Sequence, residues 1–313
     1  MSITVTGASG FLGSRLVRLL AARGERVVAV DRAPPPAPLP PGCASVVGDL
    51  AANVGAAVPE GTAAVVHLAA VVSGAAEADF DLGLRENVFG LHALLEACRA
   101  RGNAPRFLFA SSLAVFGPIA AADDATPTHP ASSYGAQKAI GELLVHDYAR
   151  KGFVDGRSVR LPTIAVRPGP PNAAASGFAS AIVREPLAGQ RATCPMPRDA
   201  KLWLASPDSA LRSLAHGLAV DGALFGGYRC VNAPGITASV GDLLNAMERH
   251  GGDPGLVDHA PDPKVAALVG SWPATFDTAK ADAMGFPRAD TLDEAVAAHI
   301  ETELSGVVGG GAA

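Results

Sequence analysis

The sequence has 313 residues, of which 49% are hydrophobic and 18% are charged, so it can bury a large core and does not resemble a disordered chain. Its formal charge of -5 at pH 7 gives no basic excess, which removes the electrostatic reason to expect a nucleic-acid partner. No uninterrupted apolar stretch of about 18 residues occurs, so neither a membrane span nor a membrane partner is expected.

Short apolar segments alternate with helical patterns in the first part of the chain. The segment "ITV" ends at Gly7, and in the following "FLGSRLVRLLAARG" apolar residues recur at helical spacing until Gly24. The strand-like "RVVAV" then ends at Asp31, and the proline-rich "APPPAPLPPG" predicts a surface connection. The segments "ASVVGDL" and "AAVVHLAA" predict two further buried strands.

The same alternation continues towards the middle of the chain. A long helix is predicted from about Phe80 to Arg101, followed by the strand "RFLFASS", a helix with Tyr134 and Lys138, and the strand "SVRLPTIAV". Strands separated by helices indicate β-α-β units with right-handed crossovers, and therefore a parallel sheet covered on both faces. We expect an α/β fold of the Rossmann type, with a doubly wound parallel sheet and a smaller C-terminal lobe that binds substrate.

The pattern changes after about Arg167, where "RPGPPNAAASG" is rich in loop-forming residues. Later helices, such as "SPDSALRSLAHGLAV" and "TASVGDLLNAMERHG", are separated by turns and short strands. Because "TGASGFLG" in the first part has the glycine pattern of a dinucleotide site, we predict an NAD-binding Rossmann domain over residues 1–166. A mainly substrate-binding lobe is predicted over 167–305, with some segments that return to the core. The glycine-rich end, 306–313, is predicted to be a flexible tail.

The cysteines and histidines form no recognisable site. The four cysteines lie far apart with no C-x-x-C pair, which predicts neither a disulfide framework nor a zinc site. The eight histidines form no H-x-x-x-H cluster, so no metal is expected. Because the sequence opens on the strand-like "SITVTG" rather than on a basic region with an apolar stretch, we expect a protein of the reducing cytoplasm.

The segment "TGASGFLG" has the glycine pattern of a dinucleotide site. Gly7 permits a tight turn, Gly10 lets a pyrophosphate approach the backbone, and Gly13 lets helix and strand pack closely. Asp31 lies 18 residues beyond Gly13, close to the spacing expected for a carboxylate that holds the ribose hydroxyls. Asp31 would repel a 2′-phosphate, so NAD is predicted, but Arg32 could accept that phosphate and keeps NADP as an alternative.

The segment "SSYGAQKAIGELL" places Tyr134 and Lys138 four residues apart, on one face of a helix. A phenol with an ordinary pKa of about 10 is a poor base at neutral pH. A nearby ammonium and a positive nicotinamide ring both favour the phenolate, so we expect Lys138 to lower the pKa of Tyr134 and make it the base for hydride transfer. The alternative is a surface pair on a helix.

A serine is expected beside this pair. The strand in "FLFASSLAVFG" delivers Ser111 and Ser112 to its carboxyl end, where ligands bind in open α/β sheets. A hydroxyl there can orient the substrate oxygen and stabilise its developing charge. The residues alone do not choose between the two serines.

Together these segments resemble the extended short-chain dehydrogenase/reductase family, which contains NAD-dependent epimerases and dehydratases. The resemblance covers nearly the whole chain. It rests on "TGASGFLG", "GDL" at 48–50, "HLAA" at 67–70, "ENVFG" around Asn87, "SSLAVFG" and "YGAQK".

The resemblance implies a catalytic trio of Ser112, Tyr134 and Lys138. In this family the catalytic serine or threonine lies four residues before the aromatic residue of the segment matching "SSLAVFG", which selects Ser112. This chain has Phe116 where Tyr is common, at a position that is not catalytic.

The resemblance also implies contacts with NAD from several loops: residues at the adenine, along the pyrophosphate and ribose, and beside the nicotinamide. For some of them core packing or helix hydrogen bonding is the alternative. The predicted cofactor-binding residues are Gly7, Ser9, Gly10, Phe11, Leu12, Gly13, Asp31, Arg32, Asp49, Leu50, Leu68, Ala69, Ala70, Asn87, Tyr134, Lys138, Pro162 and Ile164.

The second half, in "RLPTIAVRPGPPN", "REPL" and "WLASPDSALRSLAHGL", resembles the D-erythronate dehydrogenase branch of these epimerase-like proteins. The implied reaction is NAD-dependent oxidation of the 2-hydroxyl of a small sugar acid, with D-erythronate giving 2-keto-D-erythronate. Arg167 suits the substrate carboxylate because its donors form a two-pronged fork. Ser112 and Tyr134 would meet the reacting hydroxyl. Asn172 and Ser176 are candidates for the other hydroxyls, with loop hydrogen bonding as an equal alternative.

Two other functions stay open as alternatives. A nucleotide-sugar epimerase with tightly held NAD would use the same trio but needs room for a nucleotide diphosphate, and the lobe has only scattered arginines. A non-catalytic dinucleotide-sensing protein would be expected to have lost part of the trio. The resemblance also implies a homodimer, packed through the helix near Phe80–Arg101 and the helix that begins near Ser133.

Overall fold

The structure is a computed structural model that describes residues 1–169 and 173–304; the predicted tail, 306–313, lies outside the described residues. The β-strands are β1 (Ser2–Thr6), β2 (Val27–Asp31), β3 (Ala44–Val47), β4 (Thr62–His67), β5 (Arg106–Ser112), β6 (Asp155–Leu161), β7 (Thr163–Ile164), β8 (Ala192–Cys194), β9 (Lys201–Ala205), β10 (Cys230–Asn232), β11 (Ile236–Ser239) and β12 (Val257–His259). The α-helices are α1 (Phe11–Ala22), α2 (Val54–Ala57), α3 (Ser73–Ala78), α4 (Phe80–Leu84), α5 (Gly90–Arg101), α6 (Ser133–Arg150), α7 (Phe178–Leu187), α8 (Pro207–Ala219), α9 (Val240–Arg249), α10 (Pro263–Gly270), α11 (Ala279–Ala283) and α12 (Leu292–His299), and π-helical turns occupy Arg85–Phe89 and Ile300–Leu304.

Within the described residues, seven parallel strands form the central sheet in the order β3-β2-β1-β4-β5-β6-β10. The chain builds outward from β1 to β3 and then returns to the other side of β1 with β4. In open α/β sheets, ligands bind outside the carboxyl ends of the strands at such a reversal. The predicted doubly wound parallel sheet is confirmed.

Helices cover both faces of this sheet, which explains why its central strands β1, β4 and β5 are mostly buried. On one face, α1 and α8 pack through Leu16 and Leu214 against a cluster that includes Val5. On the other face, α5 and α6 pack through residues such as Leu94 against Phe107. Within the described residues, no helix combines the length and the apolar character that a membrane span requires.

The segment "ASVVGDL" does contain a strand, β3, but the prediction that this strand is buried is wrong. β3 lies at the edge of the sheet, beyond β2, and Val47 is 50% exposed. An edge strand is open to solvent on one side, so β-branched residues alone do not indicate burial.

The helix predicted over Phe80–Arg101 is a continuous helical run, but it is not α-helical throughout. The π-helical turn Arg85–Phe89 joins α4 to α5, and the Gly90 N–H donates to the carbonyl of Arg85, five residues earlier. One additional residue in a turn rotates the following side chains by about 100° relative to a regular helix. The side chains of α5 therefore point in a different direction, relative to those of α4, than they would in a continuous α-helix.

The strand predicted over "SVRLPTIAV" is in fact two strands in two sheets. β6 ends at Leu161 in the central sheet, whereas β7 belongs to a three-stranded sheet with β9 and β11. Pro162 separates them, because proline has no N–H and cannot continue the hydrogen-bond ladder. The chain leaves the central sheet at this residue.

The second half of the chain has its own apolar core around α7 and α9, built from residues such as Ile182, Leu244 and Met247. The predicted helix "TASVGDLLNAMERHG" is shorter than expected. It begins at Val240, where the Ser239 and Asp242 side chains form a capping box, and the residues before it form β11. Two segments of this half, α8 and β10, return to the central sheet.

Candidate active site

A cleft with a volume of about 520 Å³ opens at the carboxyl ends of β1, β2, β4, β5 and β6. The glycine loop forms one end, and the end of β5 with the start of α6 forms the other. This volume lies in the range of small-molecule sites, about 300–1,000 Å³.

Most of the residues predicted for cofactor, substrate or catalysis line this cleft, and they come from loops that are far apart in the sequence. Asn172 lies outside the described residues. The predicted residues in the wall of the cleft are Gly7, Gly10, Phe11, Leu12, Gly13, Asp31, Arg32, Asp49, Leu50, Leu68, Ala69, Ala70, Ser112, Tyr134, Lys138, Pro162, Ile164, Arg167 and Ser176.

Two predicted cofactor residues, Ser9 and Asn87, support the wall of the cleft instead of lining it. The Ser9 hydroxyl donates to the carbonyl of Ala33 at 2.8 Å. Asn87 is buried, and its amide accepts from the Val71 N–H at 2.8 Å and donates to Gln137 Oε1 at 2.7 Å. The side chains of both residues therefore have protein partners, and their contact with NAD stays a prediction.

The glycine loop leaves a bare helix N-terminus in the cleft. Gly7 has a φ of +69°, and a Cβ on it would lie 2.7 Å from the backbone nitrogen of Ala69. A Cβ on Gly13 would lie 2.0 Å from the Gly7 carbonyl oxygen, so the turn itself requires both glycines. Gly10 is the N-cap residue of α1 and offers no side chain to its first N–H groups. Those groups stay available to a phosphate, so the loop fits the diphosphate of a dinucleotide.

Asp31 is held with its carboxylate in the cleft at the end of β2. Oδ2 accepts from the Ser9 N–H at 2.9 Å, and Oδ1 accepts from the Ala33 N–H at 3.0 Å. Two backbone donors fix the orientation of the group, and its remaining lone pairs suit the hydroxyls of an adenosine ribose.

One face of α6 carries the chemistry at the other end of the cleft. Tyr134, Lys138 and Glu142 follow at intervals of four residues and therefore line up along the helix. This face lies against β5, and a Cβ on Gly141 would lie only 2.6 Å from Cζ of Phe109. The glycine thus permits the helix to approach the sheet closely.

The Lys138 amine is buried between β5 and Tyr134. Its Nζ donates to the carbonyl of Ala110 at 2.8 Å and lies 5.7 Å from the centre of the Tyr134 ring. Burial lowers the pKa of Lys138 to about 8, and the negative charge of Glu142 opposes this shift.

The expectation that Lys138 lowers the pKa of Tyr134 is not met by the protein's own residues. Burial raises the pKa of Tyr134 to about 12, because the phenolate would lose its water. A hydrogen bond with Ser112 and the positive charge of Arg167 act in the opposite direction. The cation that acts on the phenol is therefore Arg167, which sequence reasoning had assigned only to the substrate.

The two serines at the end of β5 have different partners. Ser111 is buried and donates to Oε1 of Glu142, whereas Ser112 pairs with Tyr134 and accepts from the Ala114 N–H at 3.2 Å. Both serines line the cleft, and Ser112 is the one that is hydrogen-bonded to the phenol.

Glu142 anchors this end of the site, and sequence reasoning missed it. Arg160 of β6 donates to both oxygens of Glu142 at 2.8 Å, and the Tyr228 hydroxyl donates to it at 3.2 Å. The glutamate and the arginine are both fully buried. The available signal was the position of Glu142 on the face of α6 that carries Tyr134 and Lys138.

Arg167 follows β7, with its guanidinium in the wall of the cleft. Its N–H donates to Ser180 Oγ at 3.0 Å, and its carbonyl accepts from Arg184 Nη1 at 2.7 Å. Burial and the nearby Arg184 charge lower the pKa of Arg167, whereas Tyr134 raises it. Within residues 1–169 and 173–304, Arg167 forms no ion pair with a carboxylate.

Trp272 is a second wall residue that the sequence did not reveal. It follows α10, more than 100 residues after Arg167, and lines the cleft. Its indole N–H is buried without a hydrogen-bond partner in the described part of the chain. No local motif marks Trp272, because it reaches the cleft only through the fold of the C-terminal lobe.

A doubly wound sheet with a bare helix N-terminus at its reversal point defines a dinucleotide-binding protein of the Rossmann class. Residues 3–210 match the sequence profile of the NAD dependent epimerase/dehydratase family. The chain belongs to this family; it is an enzyme, and its cofactor is NAD.

The similarity to individual proteins extends over the whole chain. The sequence is 46% identical to D-erythronate dehydrogenase of Cupriavidus necator, over 96% of this chain and 98% of that protein. It is 37% identical to D-erythronate dehydrogenase of Haemophilus influenzae, over 97% of this chain and 100% of that one. The crystal structure of the nucleoside-diphosphate-sugar epimerase from Agrobacterium tumefaciens matches with a TM-score of 0.86 at 38% identity, covering 98% of this chain and 96% of that chain.

The buried amine predicts a pH-dependent difference in stability between the wild type and Lys138→Met. The folded pKa of about 8 lies below the ordinary 10.5, so between these pH values the unfolded chain binds more protons and the stability of the wild type rises with pH. The wild type should therefore gain about 2 kcal/mol in its free energy of unfolding, relative to Lys138→Met, between pH 7 and pH 10.

Chemical denaturation at the two pH values measures this difference. Lys151→Met is the control, because Lys151 is exposed at the end of the same helix. A difference for Lys138→Met that does not change with pH would contradict the lowered pKa.

Proposed function

We propose that the protein oxidises the 2-hydroxyl of a small sugar acid with NAD, with D-erythronate as substrate and 2-keto-D-erythronate as product. The observation that carries the proposal is the guanidinium of Arg167 beside the phenol of Tyr134, without a carboxylate partner among the residues that the structure describes. The names of the relatives from Cupriavidus necator and Haemophilus influenzae support the same substrate.

The spacing of the two groups suits a 2-hydroxy acid. In such a substrate the carboxylate is attached to the carbon that carries the reacting hydroxyl, so its cation must lie next to the proton acceptor. Arg167 and Tyr134 are close enough for each to shift the pKa of the other. Arginine binds a carboxylate with two parallel hydrogen bonds, which fixes the orientation of the acid as well as its position.

Each residue of the trio then has a separate task. Ser112 donates to the substrate oxygen and holds it beside Tyr134, and Tyr134 accepts the hydroxyl proton. Bound NAD would supply the hydride acceptor for C2, and loss of the hydride and the proton would leave the 2-keto acid. Because the pKa of Tyr134 is raised, nearby positive charge has to favour its phenolate, and Arg167 supplies that charge. Lys138 would hold the nicotinamide ribose. The bare N–H groups before α1 hold the diphosphate, and Asp31 holds the ribose.

The second candidate is a nucleotide-sugar epimerase, which needs cations for the diphosphate of its substrate. Of the scattered arginines in the lobe, Arg184 and Arg191 already pair with Glu185 and Asp258, and this favours the small acid. The name of the Agrobacterium tumefaciens structure is the observation that favours the epimerase.

The reaction can be tested by following the absorbance of reduced nicotinamide with NAD and a panel of four-carbon sugar acids. D-erythronate should give sustained formation of NADH, whereas an epimerase returns the hydride to its own intermediate and gives no net signal. Tyr134→Phe should lose at least about 100-fold in kcat, because it removes the proton acceptor, and should keep its affinity for NAD. No NADH from any acid in the panel would refute the proposed reaction.

Replacing Arg167 by Met should raise KM for D-erythronate by about 10- to 100-fold, because a charged hydrogen-bonded partner of the carboxylate is lost. Steady-state kinetics with the acid and with erythritol, an uncharged polyol of equal length, separate carboxylate recognition from general damage. Erythritol has no carboxylate for Arg167 to bind, so its activity should be low, and equally low, in the wild type and in the variant. Arg198→Met is the control, since Arg198 is exposed and outside the cleft. Equal KM values for wild type and Arg167→Met would remove Arg167 from substrate binding.

We also propose that the protein is a homodimer, joined through the helical run from α4 to α5 and through α6. Phe80, Phe89 and Leu143 are more than half exposed on these neighbouring helices, at 59%, 58% and 58%, and Ile140 is 40% exposed. A cluster of exposed large apolar side chains favours a protein interface, and a second copy of the chain presents the same surface.

Leu143→Glu should convert the dimer to a monomer, because it would place a carboxylate in the apolar contact. Light scattering after size exclusion measures the mass. Leu224→Glu is the matched control, since Leu224 is 56% exposed but lies away from these helices and should leave the mass unchanged. A wild type with the mass of one chain would contradict the proposal.

A further inference from the structure

Four charged side chains meet where β2 ends beside the glycine loop, and all of them line the cleft. Asp31 and Arg32 come from the end of β2, whereas Arg85 and Glu86 come from the π-helical turn. Oε1 of Glu86 lies 3.2 Å from Nη1 of Arg32 and 3.2 Å from Nε of Arg85. The Glu86 side chain is 15% exposed, whereas the Arg32 and Arg85 side chains are 55% and 61% exposed. One sheltered carboxylate therefore holds two exposed cations.

We propose that Glu86 is a cofactor-specificity residue that excludes NADP. Its carboxylate engages Arg32 and Arg85, which would otherwise attract the 2′-phosphate that distinguishes NADP from NAD. Arg32 alone would have allowed either cofactor, because a guanidinium binds phosphate well. The proposal concerns the cofactor and holds whichever substrate the enzyme oxidises.

The charges around the adenosine ribose support this assignment. A phosphate monoester carries about -1.5 to -2 charges at pH 7. The charged residues that line this end are three acids, Asp31, Asp49 and Glu86, and the two arginines, which gives a net charge of -1. Without the charge of Glu86 the net charge of this end becomes zero, and the guanidiniums of Arg32 and Arg85 lose their carboxylate partner. Asp31 would continue to hold the ribose, because backbone N–H groups fix its carboxylate.

The π-helical turn holds Glu86 in this position. The next residue, Asn87, is buried and hydrogen-bonded to Val71 and Gln137, so the backbone beside Glu86 is fixed against the wall of the cleft. A carboxylate fixed in this way keeps its charge close to the ribose position, where a mobile surface side chain would be screened by solvent.

The test compares the dissociation constants of NAD⁺ and NADP⁺ by titration calorimetry in the wild type and in Glu86→Gln, which keeps the size of the side chain. In Glu86→Gln the ratio of the NADP⁺ constant to the NAD⁺ constant should fall by about tenfold, as expected for removal of one close like charge and release of a partner for the phosphate. The fall should become smaller at high salt, because the interaction is electrostatic.

Two further variants identify the cation. The double variant Glu86→Gln/Arg32→Gln should lose most of the gain in NADP⁺ affinity, whereas Arg32→Gln alone should change the ratio by less than about twofold, since Glu86 already occupies that arginine. An unchanged ratio in Glu86→Gln would overturn the proposal. A gain that survives in full in the double variant would show that Arg32 is not the group that Glu86 restrains, and would overturn it as stated.

Discussion

The close approach of α6 to β5 is the constraint on which the active site depends. Gly141 permits it, and Glu142 secures it by accepting from Arg160 and Ser111 in the buried interior. Removing one partner of a buried ion pair costs about 3–5 kcal/mol, so the helix has a single favourable position against the sheet. Lys138 and Tyr134, one and two turns earlier on the same face, take their positions from this anchor.

The same burial determines the electrostatics of the site. Exclusion of water raises the pKa of Tyr134 to about 12 and lowers that of Lys138 to about 8, so both groups are harder to ionise in the cleft than in water. Ser112, Tyr134 and Lys138 by themselves therefore do not bring the pKa of Tyr134 down to neutral pH. The positive charge of Arg167 favours the phenolate of Tyr134, so in the proposed reaction one arginine would both bind the acid and help to activate the base.

The features that sequence predicted well are those specified by neighbouring residues. The glycine loop, the carboxylate at the end of β2 and the spacing of Tyr134 and Lys138 each depend on one turn, strand or helix. The features that it missed depend on pairing between distant segments: β3 is exposed because it is an edge, Asn87 faces Val71 and not the cleft, and the lobe brings Trp272 to the wall. The short strand after Pro162 joins another sheet because it pairs with β9, which lies about 40 residues further along the chain.

The return of α8 and β10 to the central sheet has a consequence for how the chain acquires its structure. A fragment that ended at residue 166 would lack the seventh strand and the helix that covers Leu108 and Val159, and it would expose that apolar surface to water. The amino-terminal half therefore depends on the second half to cover part of its apolar surface. During synthesis on the ribosome, completion of the sheet has to wait until the chain has passed residue 232.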